Sequence, residues 1–281
     1  MFDIIRNWGL VHGIIFFSLK ITKRLNVFKS LYAKYITENK LYNYIINYGG
    51  LIYQPNYKTF FVKYGNNKFV LRRFSSDLIV LNQIFIKHEY LPLINLIKKY
   101  NIQANNIIDV GSNTGFSSIY FYNALPGSKI FSIEASSLNF FFLKENSMMN
   151  KIDSVLINKA LWYKNEDLSL DLSFRDGLPW SHKFSNNVNG NYSVKGVSLN
   201  HILKEYNIQE ISVLKIDIEG GEFDVFLKPL NTDFLKITKC LAIEIHEEAG
   251  DEKALLNLFN LYGFQMEKID ECYFGVNQNL I

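Results

Sequence analysis

The chain has 281 residues, 48% hydrophobic and 20% charged, which suffices for a sizeable buried core and excludes a disordered chain. Its formal net charge of +3 is spread along the sequence without a long basic run, so nucleic acid is not an expected partner. Cys240 and Cys272 are its two cysteines and show neither a CxxC nor a metal-finger spacing, which suits a cytoplasmic protein in a reducing compartment.

Residues 1 to about 50 are expected to be helical, closing at Gly49-Gly50. Within them, the apolar stretch Trp8 to Leu19 falls short of the about 20 residues that span a bilayer. Lys20, Lys23 and Arg24 follow it, the reverse of a secretory signal. A helix packed on the body is expected there, with peripheral contact to a membrane surface as the alternative. Thr59-Phe60-Phe61-Val62 and Lys68-Phe69-Val70-Leu71 flank Gly65-Asn66-Asn67 as a hairpin. Ser75-Ser76-Asp77 then caps a helix from Leu78 to Tyr100. From Asn106 strands and helices alternate, which predicts an α/β fold with a doubly wound parallel sheet. The expected division is an accessory region over 1–100 and a ligand-binding domain over 101–281.

In that second region Ile107 to Val110 reads as a buried strand, Lys129 to Ile133 as a second and Ser154 to Leu161 as a third. Residues 164 to 197 interrupt the alternation; Leu168 to Phe174 can pair with Tyr192-Ser193-Val194 across an Asn-rich loop holding Trp180 and His182. Ile211 to Ile216 and Leu241 to Ile245 are the fourth and fifth strands. The hairpin Gln265 to Ile269 and Tyr273 to Val276 adds an antiparallel strand at the sheet edge.

The turn Asp109-Val110-Gly111-Ser112-Asn113-Thr114-Gly115-Phe116 joins the first strand to a helix whose unpaired N–H groups face a ligand. A dinucleotide turn has glycine at all three places of G-x-G-x-x-G, but here Asn113 and Phe116 occupy the second and third. With Asp109 beside the turn, this suits S-adenosylmethionine better than a pyrophosphate, and Phe116 is expected beside the cationic methyl donor. Glu134 ends the second strand and can accept both ribose hydroxyls, with Ala135 beside it, while Asn158 and Ala160 approach the adenine. The ends of the fourth and fifth strands bring Asp217, Glu219, Glu244 and His246 to the mouth of the same site.

These motifs, with Leu143-Lys144-Glu145-Asn146, Asn150 and above all Lys215-Ile216-Asp217-Ile218-Glu219-Gly220-Gly221-Glu222, closely resemble the FkbM-like family of S-adenosylmethionine-dependent methyltransferases. The resemblance covers roughly residues 60 to 276. Gly221 stands where the family usually has alanine, and Ser136 where a proline commonly follows the acid. The resemblance implies a class I, Rossmann-like methyltransferase fold and O-methylation, often of a sugar hydroxyl. Asp217, Glu219 and His246 would serve the reaction, His246 as base with Asp217 orienting it. Alternatively Asp217, Glu244 and His246 would hold a divalent metal, magnesium or manganese, that acidifies the hydroxyl. The acceptor is expected to be a small molecule or glycan, read by Trp180, Asn186, Asn187, Asn189 and Asn191. The competing readings are a catalytically silent S-adenosylmethionine-binding subunit and a nicotinamide-dependent oxidoreductase. Glu222 is expected to do no more than cap its helix.

Overall fold

In a computed structural model of the chain, the described residues are 10–22, 26–53, 58–171, 183–185, 193–228 and 232–281. The chain divides into two compact units, Met1–His88 and Glu89–Ile281.

In the first unit, α1 (Leu10–Thr22) lies against α2 (Asn26–Asn47), burying Phe16 and Leu19. His12 Nδ1 meets the Tyr35 hydroxyl at 3.0 Å, and Phe16 stacks on Tyr32. Strands β1 (Leu51–Tyr53), β2 (Thr59–Tyr64) and β3 (Asn67–Arg72) form an antiparallel sheet. Tyr64 pairs with Asn67, so the expected hairpin turns on Gly65 and Asn66 alone. Arg72 grips the Asp77 carboxylate with its guanidinium at 3.0 and 2.6 Å and with its backbone N–H at 2.8 Å. Arg73 donates to Glu38 at 3.0 Å and lies over the Phe74 ring. Both arginines are buried and committed to partners within this unit.

The helix expected from Leu78 to Tyr100 is broken. It starts as α3 (Asp77–Leu81), widens into a π-helical turn over Asn82–Ile86 and ends where His88 adopts a left-handed φ of 58°. Pro92 lacks the N–H that a continuing helix would need, but it suits the first turn of a new one, α4 (Leu91–Lys99). α4 belongs to the second unit.

The rest of that unit runs β4 (Asn106–Val110), α5 (Phe116–Ala124), β5 (Lys129–Ile133), α6 (Ser137–Met149), β6 (Ser154–Ile157), β7 (Ala160–Leu161), β8 (Glu166–Asp171), β9 (Lys183–Ser185) and β10 (Ser193–Val197). It continues with α7 (Leu199–Glu205), β11 (Ile211–Ile216), α8 (Glu222–Leu227), β12 (Thr238–Glu244), α9 (Glu252–Leu261), β13 (Phe264–Ile269) and β14 (Cys272–Asn277). Seven of these strands form a sheet in the order β13-β14-β12-β11-β4-β5-β6. Pairing between β4, β5, β6, β11 and β12 is parallel. Their buried Ile, Leu and Val runs are what a sheet covered on both faces requires. The terminal hairpin closes one side, with antiparallel β14 next to β12 and β13 outermost.

Register fixes the site. Ile157, Ile133, Val110, Ile216 and Ile243 form one row across five strands. The next residue of each strand, Asn158, Glu134, Gly111, Asp217 and Glu244, therefore emerges at the same level. The strand order reverses between β4 and β11, and an open α/β sheet binds ligands beside such a reversal.

The stretch expected as one third strand divides at Asn158-Lys159. β6 stays in the large sheet, while β7 joins a second sheet in the order β7-β10-β8-β9. The expected pairing across the interruption is present, with Val194 opposite Leu168 and Ser193 opposite Ser169. Trp180, His182, Asn186, Asn187, Asn189 and Asn191 lie outside the described residues. Among the described residues no helix is long and apolar enough to cross a membrane.

Candidate active site

The turn after β4 is pressed against the end of β11. Gly111 has φ 70°, and a Cβ there would collide with the Asp217 carbonyl oxygen. Gly115, at φ 88°, begins α5, and a Cβ there would come within 2.7 Å of Leu143. Both glycines are thus demanded by protein backbone and packing. Lys215, buried on β11, donates to the carbonyls of Gly111 at 2.9 Å and Val110 at 3.2 Å. Burial works against its charge, but Asp109, Asp217 and Glu89 outweigh it and raise its pKa.

Asp109, Gly115 and Phe116, expected at the ligand, stand behind the turn instead. Asp109 is 0% exposed and accepts from the hydroxyls of Ser117 at 2.7 Å and Ser118 at 2.5 Å, with Lys215 Nζ 3.4 Å from its other oxygen. Phe116 is 1% exposed and packed in the core, so its ring does not face the cleft. The helix that starts at Phe116 directs this side chain inward because Gly115 has already turned the backbone.

In front of the turn lies a cleft that opens to solvent. Of the residues singled out from the sequence, Gly111, Asn113, Glu134, Ala135, Ala160 and Asp217 line it. The Glu134 carboxylate accepts the N–H groups of Asn113 at 2.9 Å and Ser136 at 2.7 Å. Burial nevertheless pushes its pKa up to about 7. Asn158 does not line the cleft; its amide donates to the carbonyls of Glu134 at 2.8 Å and Ala135 at 3.2 Å and so holds the loop that does. Sequence reasoning missed Lys159, Trp162, Ser136 and Asn139, which also line the cleft. Trp162 could have been found as an indole one residue beyond the strand end assigned to the adenine.

Beside the cleft sits a buried histidine among acids. His246 is 2% exposed; its Nδ1–H donates to Glu222 Oε1 at 2.9 Å, and the same oxygen accepts Ile218 N–H at 3.2 Å. Glu222, 0% exposed, therefore binds back to the turn and aims the imidazole, a role beyond capping α8. His246 Nε2 lies 3.4 Å from both Glu219 Oε2 and Glu244 Oε1, without the alignment of a hydrogen bond. Burial alone would lower the His246 pKa, but Glu222, Glu244 and Asp217 outweigh it and raise it to about 11. The ring therefore carries both protons at neutral pH unless another cation takes the place of one, which argues against the expected role as a free base. Burial and Asp217 raise the Glu244 pKa, and the same two causes push Glu89 up to about 7. The ligand atoms that lie within 4.8 Å of one another come from Asp217, Glu219 and His246, so Glu219 stands in this group where the sequence suggested Glu244.

This sheet order, with one antiparallel strand beside β12, a glycine turn after the central strand and an acid ending its neighbour, defines the Rossmann-like class I fold of S-adenosylmethionine-dependent methyltransferases. The description of the Methyltransferase FkbM domain matches residues 109–270, more than half of the chain. The chain belongs to the FkbM methyltransferase family and is an S-adenosylmethionine-dependent methyltransferase. Methyltransferase 1 of Beauveria bassiana (strain ARSEF 2860) is 23% identical over 180 residues, which cover 56% of this chain and 71% of that protein. Methyltransferase sdnD of Sordaria araneosa is 22% identical over 195 residues, covering 58% and 74%. Among solved structures, M. capricolum TrmK in complex with S-adenosyl-homocysteine aligns over 66% of this chain and 67% of that one, with a TM-score of 0.38 and 12% identity. Family membership sets aside the nicotinamide reading.

Proposed function

We propose that the protein methylates a hydroxyl of a sugar, a glycan precursor or a related polar metabolite. The observation that carries this reading is the meeting of the donor cleft with Asp217, whose side chain is 34% exposed where the acid and histidine cluster opens. Bound S-adenosylmethionine supplies a methyl group on a cationic sulfur, so the protein has only to place an oxygen in line and ease the loss of its proton.

The residues present fit that donor. Asn113 lines the cleft with a buried Oδ1 that has no hydrogen-bond partner, ready for an N–H or O–H. The Glu134 carboxylate, which already accepts the N–H groups of Asn113 and Ser136, is an acceptor suited to ribose hydroxyls. Ala160, Leu161 and Trp162 offer an apolar wall for the adenine. Asp217 would accept the acceptor's O–H, directly or with a divalent cation, magnesium or manganese, lowering the hydroxyl's pKa. His246 as a simple base is the weaker reading because the acids around it favour its protonated form. The amides at Asn186, Asn187, Asn189 and Asn191 and the indole of Trp180 support a carbohydrate acceptor by their chemistry alone. Two buried, unpaired cysteines are in keeping with a cytoplasmic setting.

The experiment offers labelled donor to nucleotide sugars, glycans and lipid-linked saccharides and to apolar phenols. Label in the saccharides, lost in Asp217→Ala, is the expected result. Label confined to phenols, protein or nucleic acid overturns the carbohydrate reading.

A further inference from the structure

We propose that Asp217, Glu219 and His246 form a divalent-cation site, with Glu222 as the positioning residue that aims the histidine. The site deepens the O-methyltransferase reading and takes its purpose from it.

Three observations converge. The three ligand atoms lie within 4.8 Å of one another, a span that small movements close around an ion with about 2.0–2.1 Å metal–oxygen distances. His246 is 2% exposed and its Nε2, pointing among the acids, has no hydrogen-bond partner. Its other nitrogen is held by Glu222 Oε1 at 2.9 Å, and that oxygen is held in turn by Ile218 N–H. A carboxylate that takes one imidazole N–H and leaves the second nitrogen facing further carboxylates is the arrangement that orients metal-binding histidines. Without an ion, Nε2 has acids at 3.4 Å on two sides and a hydrogen bond to neither.

Two carboxylates and one imidazole suit manganese better than magnesium, which prefers oxygen ligands throughout, and three protein ligands leave open positions in an octahedron. Asp217 also lines the cleft, so an ion it held would stand beside the place where the acceptor hydroxyl would bind. There the cation lowers the hydroxyl's pKa. The acceptor oxygen forms the new C–O bond as the C–S bond breaks, and the electron pair of that bond stays on sulfur, which becomes a neutral thioether. The hydroxyl proton would pass to water in the open cleft.

The test titrates manganese into the chelator-stripped full chain with S-adenosylhomocysteine present and no acceptor, followed by electron paramagnetic resonance. The expected result is one manganese ion per chain, with spin-echo modulation from a directly bound imidazole nitrogen. Glu219→Gln should weaken manganese binding at least tenfold, and Glu222→Gln by about tenfold to a hundredfold. Glu134→Gln should weaken S-adenosylhomocysteine and leave manganese binding unchanged. No saturable manganese binding by the unmutated chain, or bound manganese without nitrogen coupling, overturns the proposal whatever the variants do. The nitrogen signal together with failure to methylate any polar hydroxyl would leave the cation site standing and defeat the acceptor reading. Undiminished methylation under chelator with no manganese signal would do the reverse.

Discussion

Glu134 carries the sharpest consequences of any single residue. Replacing it with alanine removes charge-assisted hydrogen bonds worth roughly 1.5–3 kcal/mol each, so affinity for S-adenosylhomocysteine should fall by about tenfold to a hundredfold. Calorimetry on the folded variant reads this directly, and unchanged affinity would sink the ribose assignment. The carboxylate also gives a pH dependence, because burial has raised its pKa from 4.5 to about 7 while ribose hydroxyls favour its charged form. Donor affinity should therefore fall as pH drops through about 7, and Glu134→Gln should flatten that profile. In the donor-free protein the sign is opposite. A proton held on Glu134 stabilises the fold fully below 4.5, and that contribution is lost as pH rises through about 7. The unfolding midpoint should decline over that window and be restored by S-adenosylhomocysteine. A donor affinity that ignores pH would show that Glu134 stays clear of the ligand.

Among the elements, β4 and β11 hold the site together, and their contact is backbone against backbone. Gly111→Ala places a methyl group against the Asp217 carbonyl at a positive φ, so both stability and donor binding should suffer, by more than about 2 kcal/mol in urea unfolding. Gly221→Ala is the contrasting case: its Cβ would meet the Ile218 side chain at 3.2 Å, a neighbour that can move, and stability should change by no more than about 0.5 kcal/mol. Equal effects of the two variants would refute the close approach. Strands such as Ile107 to Val110 and Ile211 to Ile216 were legible in the sequence because burial on both faces writes itself as an unbroken apolar run. The break at His88 was not, since the apolar periodicity continues across it and Pro92 gives the one local signal. The division at Asn158-Lys159 was hidden for a related reason: Asn158 leaves the strand to donate to the carbonyls of Glu134 and Ala135, partners more than 20 residues away.

For the molecule as a whole, the described residues that line the cleft proposed for the donor belong to the second unit. A fragment covering 89–281 should therefore bind S-adenosylhomocysteine with the affinity of the full chain, and a loss beyond about tenfold would give the first unit a part in the donor site. The positions of Gly111, Glu134, Asp217 and Glu244 at one level of the sheet were readable because strand order and spacing alone bring them there. What they do to one another was not readable: Lys215 locking the glycine turn, Glu222 aiming His246, and Asp109 spent on Ser117 and Ser118 are side-chain contacts that strand order and spacing do not specify. The central claim is that a methyl group passes from a donor held by Glu134 to a hydroxyl placed at Asp217. Incubating the protein with methyl-labelled S-adenosylmethionine and a panel of polyols, nucleotide sugars and glycans, then locating the label by nuclear magnetic resonance, tests it most directly. The expected product is an O-methyl ether on a polar acceptor, abolished in Asp217→Ala and reduced in Glu134→Ala. A label found on nitrogen, sulfur or carbon, or an O-methyl product formed equally well by both variants, would contradict it.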